Sequence, residues 1–573
     1  MRGHHLPGQQ PGHVHHALGA VHSGVAAYNP TLFVTPPVLS STIVTTIPMQ
    51  LSSNTPGISI KQKGSFIGFS IKMSVANQVL AKNSSFIQVP FLNLMANIQQ
   101  HTGSVMIHIG SNTQELAKLI NTLPDRCILE KNLTGVTCMT QTPLLNFTYD
   151  MLYLMRNISS FVNVHWFLSV PWFVTQLFNP CITCMDNATT HMACAGHMKN
   201  ILIGLNIANF MWMPEQVWNM GFVDTYNDNL TFLAVEKYPN NNCGMRFGVA
   251  DIVDPQMVLP NHLMHNTHVN LLKLCLNSTL FAQTKNKLFL MFETNMVSCG
   301  SLLGILDSFT ATLWGIDYVL QFMHSNFSGT MFHLGRQNIF YNIHAQPFTL
   351  PPTSQSTFHQ WTIRPLYYSA LIMAEALGTS NNTHSIYKDG MPVRIMIINY
   401  VNDLSSATDV QAVISAVGSG TPAQVKVKYL AAVSIMQQGR HIWAGQMFSR
   451  NFESDRQPMG AEDVQMVQCD MEDKGAAMAT FLMTVHTKTC NTVLLFLPSC
   501  MVLPPFFPSI FTLPSHLPIP PLISSSPLFC HPLLPSLSAL ASPSLPTVPI
   551  PAAALVFVPL LHFSLCFMSP PSP

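Results

Sequence analysis

Three residue patterns in this chain have types and spacings that could do chemistry. The first is a carboxylate at the end of an apolar run: "KLFLMFETNMVSCG" (287–300) sets Glu293 after five apolar residues and before Thr294 and Asn295. A carboxylate at a strand end can serve as a nucleophile or base at the rim of a sheet, or it can cap the next helix. Glu236 closes "TFLAVE" in the same way and Glu115 follows "VMIHIG"; these two read as part of a structural "EKYP" and as a helix-start residue. The second pattern is Cys181-x2-Cys184 with His191, Cys194 and His197, spacings that tetrahedral zinc could use. It reads as an accidental cluster in a diverged junction. The third is "MRGHHLPGQQPGHVHHALGAVHSG", six histidines with no apolar h-region, which reads as a disordered leader rather than a signal peptide or a metal site. No metal and no cofactor is expected.

The elements that must position Glu293 recur along the chain. Short β-branched and aromatic runs lie at 65–71, 105–110, 162–168, 201–206, 231–236, 288–293 and 330–335, with helix-like segments between them and "WTIRPLYYSALIMAEALG" (361–378) after the last. That alternation predicts a parallel α/β architecture. Seven runs are one short of a (β/α)8 TIM-type barrel. Residues 385–468 change to "VRIMIINYV", "VQAVISAV" and "AQVKVKYLAAVS", alternating apolar and polar around turns, which predicts the antiparallel strands of a β-sandwich. The expected organisation is a leader and linker over 1–56, the barrel over 57–380, a C-terminal β-domain over 381–470 and a tail over 471–573.

Composition bounds the function. The 573 residues carry 9% charged side chains and a net charge of +1, so no nucleic-acid footprint is visible. Apolar residues make up 48% without an uninterrupted run long enough for a membrane span. Nine Asn-x-Ser/Thr sequons, at Asn83, Asn132, Asn146, Asn157, Asn187, Asn229, Asn277, Asn326 and Asn381, point to a secreted glycoprotein. The thirteen cysteines form no dense framework; Cys243 and Cys299 are the pair most readily bridged. From Thr489 onward there is no charged residue, and Pro, Leu, Ser and Phe dominate. Prolines every few residues oppose helix and central strand, so the tail reads as translated polypyrimidine sequence from a retained intron and not as a membrane anchor.

"GSFIGFSIKMSVANQVLAKNSSFIQVPFLNLMANIQ", "SNTQELAKLI", "FETNMVSCGSLLGILDSF", "LWGIDYVLQFMHSNFSGTMFHLGRQN" and "STFHQWTIRPLYYSALIMAEALG" together resemble the fungal branch of glycoside hydrolase family 79. That family contains β-glucuronidases and is related to heparanase. The resemblance covers roughly residues 27 to 470, with "VRIMIINYV", "VKVKYL", "WAGQMF" and "NFESD" similar to the family's C-terminal β-domain. It implies a retaining glycosidase on a (β/α)8 barrel, with Glu293 as nucleophile at the end of the seventh strand. It also implies a uronic-acid-containing oligo- or polysaccharide as partner and a secreted location. Substrate contacts carried over by the resemblance are Asn112, Gln114, Tyr238, His333 and Gln337, with the loop Ser298–Gly300 beside the sugar carboxylate.

A retaining glycosidase needs a second carboxyl about 5 Å from the first, protonated when the leaving group departs. The family carries it in a "GNEPD"-like motif on strand four, and no such motif is present. In one reading "LIGLNIANF" is the fourth strand and Phe210 stands in the acid/base position. In the other, which fits better downstream, "ILIGLNIA" is the fifth strand and the fourth has dropped out. Either way the proton donor is missing: Glu236 and Glu115 are the carboxylates that could substitute, and both read as structural instead; a barrel one βα unit short is expected to expose sheet edges. Two further departures are Lys72, where the family's first strand is acidic, and Ser111, where the family has glycine. The chain therefore reads as an impaired glycosidase or, alternatively, as a non-catalytic carbohydrate-binding pseudoenzyme.

Overall fold

The structure is a computed structural model. It describes residues 34, 46–51, 59–134 (apart from 82, 112, 114 and 115), 143–169, 202–207, 213–243, 251–298, 302–334 (apart from 303), 348–349, 362–379, 387–388, 391–401, 409–417, 424–438, 441–448, 458–473 (apart from 469), 477–485, 490–496 and 554–556.

The seven expected strands form. β1 (Ile67–Lys72), β2 (Val105–Gly110), β3 (Val164–Ser169), β4 (Leu202–Ile207), β5 (Leu230–Glu236), β6 (Leu288–Thr294) and β7 (Gly329–Leu334) make one curled parallel sheet. β1 and β2 are buried at every residue, as strands covered on both faces must be, which is why they read as continuous apolar runs. Side chains from six of these strands fill the interior: Met106, Phe167, Ile203, Ala234, Leu290, Phe292 and Met331.

β7 pairs with β1, β1 with β2, β2 with β3, β4 with β5, and β5 with β6, which pairs with β7. The gap falls between β3 and β4, at the fourth place around the sheet. There Ala554–Val556 lies parallel to both, Leu555 opposite Leu168 on one side and Leu202 on the other, and the ring closes. This corrects two expectations. The sheet is not left open, and the tail contributes a strand, because 552–558 ("AAALVFV") is free of proline and can pair on both edges.

The C-terminal domain has two sheets. In one, Arg394–Ile398, Cys490–Phe496, Gln424–Ala432 and Ile442–Trp443 lie side by side, with Gln465–Gln468 also on Gln424–Ala432, all antiparallel. In the other, Thr46–Leu51 pairs in parallel with Val410–Val417, which pairs antiparallel with Ala477–Val485, and that strand with Asp470–Asp473. Thus 46–51, expected as linker, is an edge strand, and one pair in the domain is parallel. The domain also runs past the expected end at 470 to Phe496, since "AMATFLMTV" and "CNTVLLF" are apolar, β-prone and without proline.

Two helices join barrel and β-domain. α1 (Phe309–His324) starts against the domain, where Phe309 N donates to Gln437 O at 2.9 Å and Thr310 N to Ile435 O at 2.8 Å. α2 (Pro365–Leu377) is buried at every position. Glu375 on α2 accepts from Lys428 Nζ, and from Trp443 Nε1 at 2.8 Å, while Lys428 also holds Glu462. Asp317 on α1 takes a hydrogen bond from Tyr400 Oη at 2.7 Å and faces His268 Nδ1 at 2.9 Å. Among the described residues, no helix is long and apolar enough to cross a membrane.

Candidate active site

Glu293 lies on β6, one residue from its end, and is 6% exposed. It does not cap the following helix, which begins sixteen residues later after Ser308. Phe292 points into the barrel core, so strict alternation would turn Glu293 outward. The register of β6 slips between Met291 and Glu293 against β5, and between Met291 and Thr294 against β7. Such a bulge re-aims a side chain at a barrel rim. Here it brings the carboxylate over the mouth.

Three strand ends converge on it. Tyr238, two residues past β5, donates Oη to Glu293 Oε1 at 2.7 Å. His333 on β7 places Nδ1 3.1 Å from Oε2, a close electrostatic contact outside hydrogen-bonding angles. Ser70 on β1 donates Oγ toward Oε2 at 3.5 Å. Burial alone would raise the Glu293 pKa. The electrostatic contact with His333 and the hydrogen bond from Tyr238 outweigh it, and the carboxyl is held down to about 2. Glu293 is therefore ionised across the ordinary pH range, as a nucleophile must be.

The surrounding backbone is fixed by its own polar contacts. Thr294 Oγ1 donates to Lys237 O at 2.6 Å, Asn295 Nδ2 to His333 O at 3.0 Å, and Lys237 N to Glu293 O at 3.1 Å. The "Thr-Asn" after the glutamate thus ties β6 to both neighbours.

Behind Glu293 lies a polar chain that the sequence reading missed. His108 on β2 is fully buried, with Nδ1 2.9 Å from Ser70 Oγ and Nε2 2.8 Å from Ser169 Oγ. Its ring rests on Phe292, centroids 4.0 Å apart. Burial pushes its pKa down to about 3, so it is a neutral hydrogen-bonding link. A Cβ at Gly110 would sit 2.2 Å from His108 Nε2 and 2.3 Å from Ser169 Oγ, so only glycine leaves that link room. The available signal was the period of two: Ser70, His108 and Ser169 each occupy an inward position of an apolar strand.

Glu236 ends β5, is 6% exposed, and is the Cα partner of Glu293 across the β5–β6 ladder. Its carboxylate accepts from Asn206 Nδ2 on β4. Lys72 closes β1 and is 8% exposed.

Of the expected site residues, Tyr238 and His333 meet at Glu293. Asn112, Gln114, Glu115, Phe210, Gln337 and the Cys181–His197 cluster lie outside the described residues. Cys243 is disulfide-bonded; Cys299 also lies outside the described residues. Among the described residues, no group of three His, Cys, Asp or Glu side chains could hold a metal ion.

Residues 383–477 match the family described as the glycosyl hydrolase family 79 C-terminal beta domain. No curated protein matches the sequence. Among solved structures, the chain is similar to a 4-O-α-L-rhamnosyl-β-D-glucuronidase from Fusarium oxysporum 12S at 15% identity and TM-score 0.55, over 79% of this chain and 100% of that one. It also aligns with a family 51 α-L-arabinofuranosidase from Bifidobacterium longum at 10% identity and TM-score 0.47, over 78% and 99% of the two chains. A family 51 arabinofuranosidase from Xanthomonas axonopodis pv. citri aligns at 8% identity and TM-score 0.46, over 77% and 98%. The domain match lies where the sequence reading placed the β-domain, residues 383–477 carry the glycosyl hydrolase family 79 C-terminal beta domain, and the overall fold is shared with a solved glucuronidase.

Proposed function

We propose that the protein is a retaining glycosidase acting on β-glucuronide-type sugars, working slowly because the family's own acid/base glutamate is lost. The observation that carries this reading is Glu293: a buried carboxylate at a strand end, ionised, and held by Tyr238 and His333. In the first step a carboxylate oxygen of Glu293 attacks the anomeric carbon as the bond to the leaving-group oxygen breaks. In the second, water displaces Glu293 and the configuration is retained. Tyr238 fixes the attacking oxygen. Lys72 supplies positive charge at the mouth, which suits a uronic carboxylate.

The fold in this reading is a (β/α)8 barrel that has lost its fourth βα unit, with Ala554–Val556 in the vacant place and a β-sandwich after it. Asn112, Gln114, Tyr238, His333 and Gln337 contact the substrate, an oligo- or polysaccharide containing uronic acid. The sequons and the family point to a secreted glycoprotein.

The test is turnover of 2,4-dinitrophenyl β-glucuronide, whose leaving group departs without a proton. Steady release of the phenol that Glu293→Gln abolishes supports the reading. No release, together with binding of glucuronate oligosaccharides, would replace it with the non-catalytic binding protein.

A further inference from the structure

Glu236 sits where a second catalytic carboxyl would be useful. Its Cα pairs with that of Glu293 across neighbouring parallel strands, and paired strands run about 4.8 Å apart. Retaining glycosidases hold their two carboxyl groups about 5–5.5 Å apart. The direction of the side chain fits as well. Phe232 and Ala234 pack with the interior cluster of the barrel, and Glu236 follows in the same alternation on β5. The β6 bulge turns Glu293 toward the same mouth.

We infer that Glu236 serves as the acid/base of this protein, from strand β5, in place of the glutamate lost with the fourth unit. The inference rests on the retaining-glycosidase reading above. In the first step the Glu236 carboxyl passes its proton to the glycosidic oxygen as the C1–O bond breaks and Glu293 bonds to C1. In the second, the Glu236 carboxylate takes a proton from water as the water oxygen bonds to C1 and the C1–Glu293 bond breaks. Protons and electron pairs balance over the cycle, with water as co-reactant. Glu293 is held by Tyr238, His333 and Ser70, and Glu236 accepts from Asn206 Nδ2.

The experiment compares the full chain with Glu236→Gln, an isosteric change, on two aryl β-glucuronides. On 4-methylumbelliferyl glucuronide, whose leaving group needs a proton, the variant is expected to lose about 10²–10⁴-fold in the first step. On 2,4-dinitrophenyl glucuronide, glycosylation is expected to change by less than about tenfold. Added azide is expected to restore turnover and give the β-glucuronosyl azide, because a small anion replaces the missing base on the free face. Labelling of Glu293 by 2-deoxy-2-fluoro-β-glucuronosyl fluoride, read by intact mass, checks that the variant's site is folded. Equal losses on both substrates without azide product, in a variant that still labels, overturn the role of Glu236 and leave Glu293 standing. A wild-type chain that is neither labelled nor active on the dinitrophenyl substrate overturns both readings together.

Discussion

Removing one oxygen from the site tests how Glu293 is kept ionised. Tyr238 Oη donates to Glu293 Oε1 at 2.7 Å in a buried setting, and a hydrogen bond to a charged group contributes about 1.5–3 kcal/mol. At ~1.4 kcal/mol per pKa unit, Tyr238→Phe should raise the carboxyl by about one to two units. The starting value is about 2, so the variant would titrate between about 3 and 4. The assay is the rate of covalent labelling by 2-deoxy-2-fluoro-β-glucuronosyl fluoride from pH 3 to 7, where fluoride leaves without a proton. The wild-type rate should stay flat to the low end of that range. The variant should show an acid limb, with about half its plateau rate near pH 4 if the shift is two units. A variant whose labelling is as flat as wild type would refute the argument that this hydroxyl holds the charge.

Ser111 adopts φ 68°, in the left-handed region, which costs a non-glycine residue about 1–2 kcal/mol; Ser111→Gly should raise stability by about 1 kcal/mol, measured as a higher urea midpoint at unchanged slope. Lys428→Met should cost about 3–5 kcal/mol by stranding the buried Glu375. Glu462→Gln should cost under ~1 kcal/mol, since that side chain is 49% exposed, and urea unfolding of both variants checks the contrast. His262 is 1% exposed, with both ring nitrogens unpartnered and its pKa pushed by burial down to about 3. Its folded pKa lies below the unfolded one, so the stability it allows is full above about pH 6.5 and declines as pH falls toward 3. His262→Leu should flatten stability against pH in that window by up to ~1.4 kcal/mol per unit, leaving the slopes from His108 and His441, which carry the same sign. An unchanged slope would count against the buried neutral ring.

Much of the barrel was legible because its strands are buried on both faces, so "SFIGFSI" and "LFLMFE" announce themselves as apolar runs. Glu293 stood out for the complementary reason, a charge ending such a run. His108 and Ser70 did not stand out, since a polar residue inside an apolar strand shows its partners only when neighbouring strands are placed. The pairing of Glu236 with Glu293 was not legible either, because it depends on the register of β5 against β6. Pairings between distant segments were also hidden. Neither Thr46–Leu51 against Val410–Val417 nor Ala554–Val556 between β3 and β4 leaves a local signature, because a strand's partner lies outside its own stretch of sequence.

The central claim is that Glu293 is the nucleophile, and covalent trapping tests it most directly. The chain would be incubated with 2-deoxy-2-fluoro-β-glucuronosyl fluoride, digested and mapped by mass spectrometry. The account predicts one added fluoroglucuronosyl group, on the peptide spanning Lys287 to Gly300 and on Glu293, and none in Glu293→Gln. A wild-type protein that binds glucuronate oligosaccharides yet takes up no label, or takes it up at another residue, would contradict it.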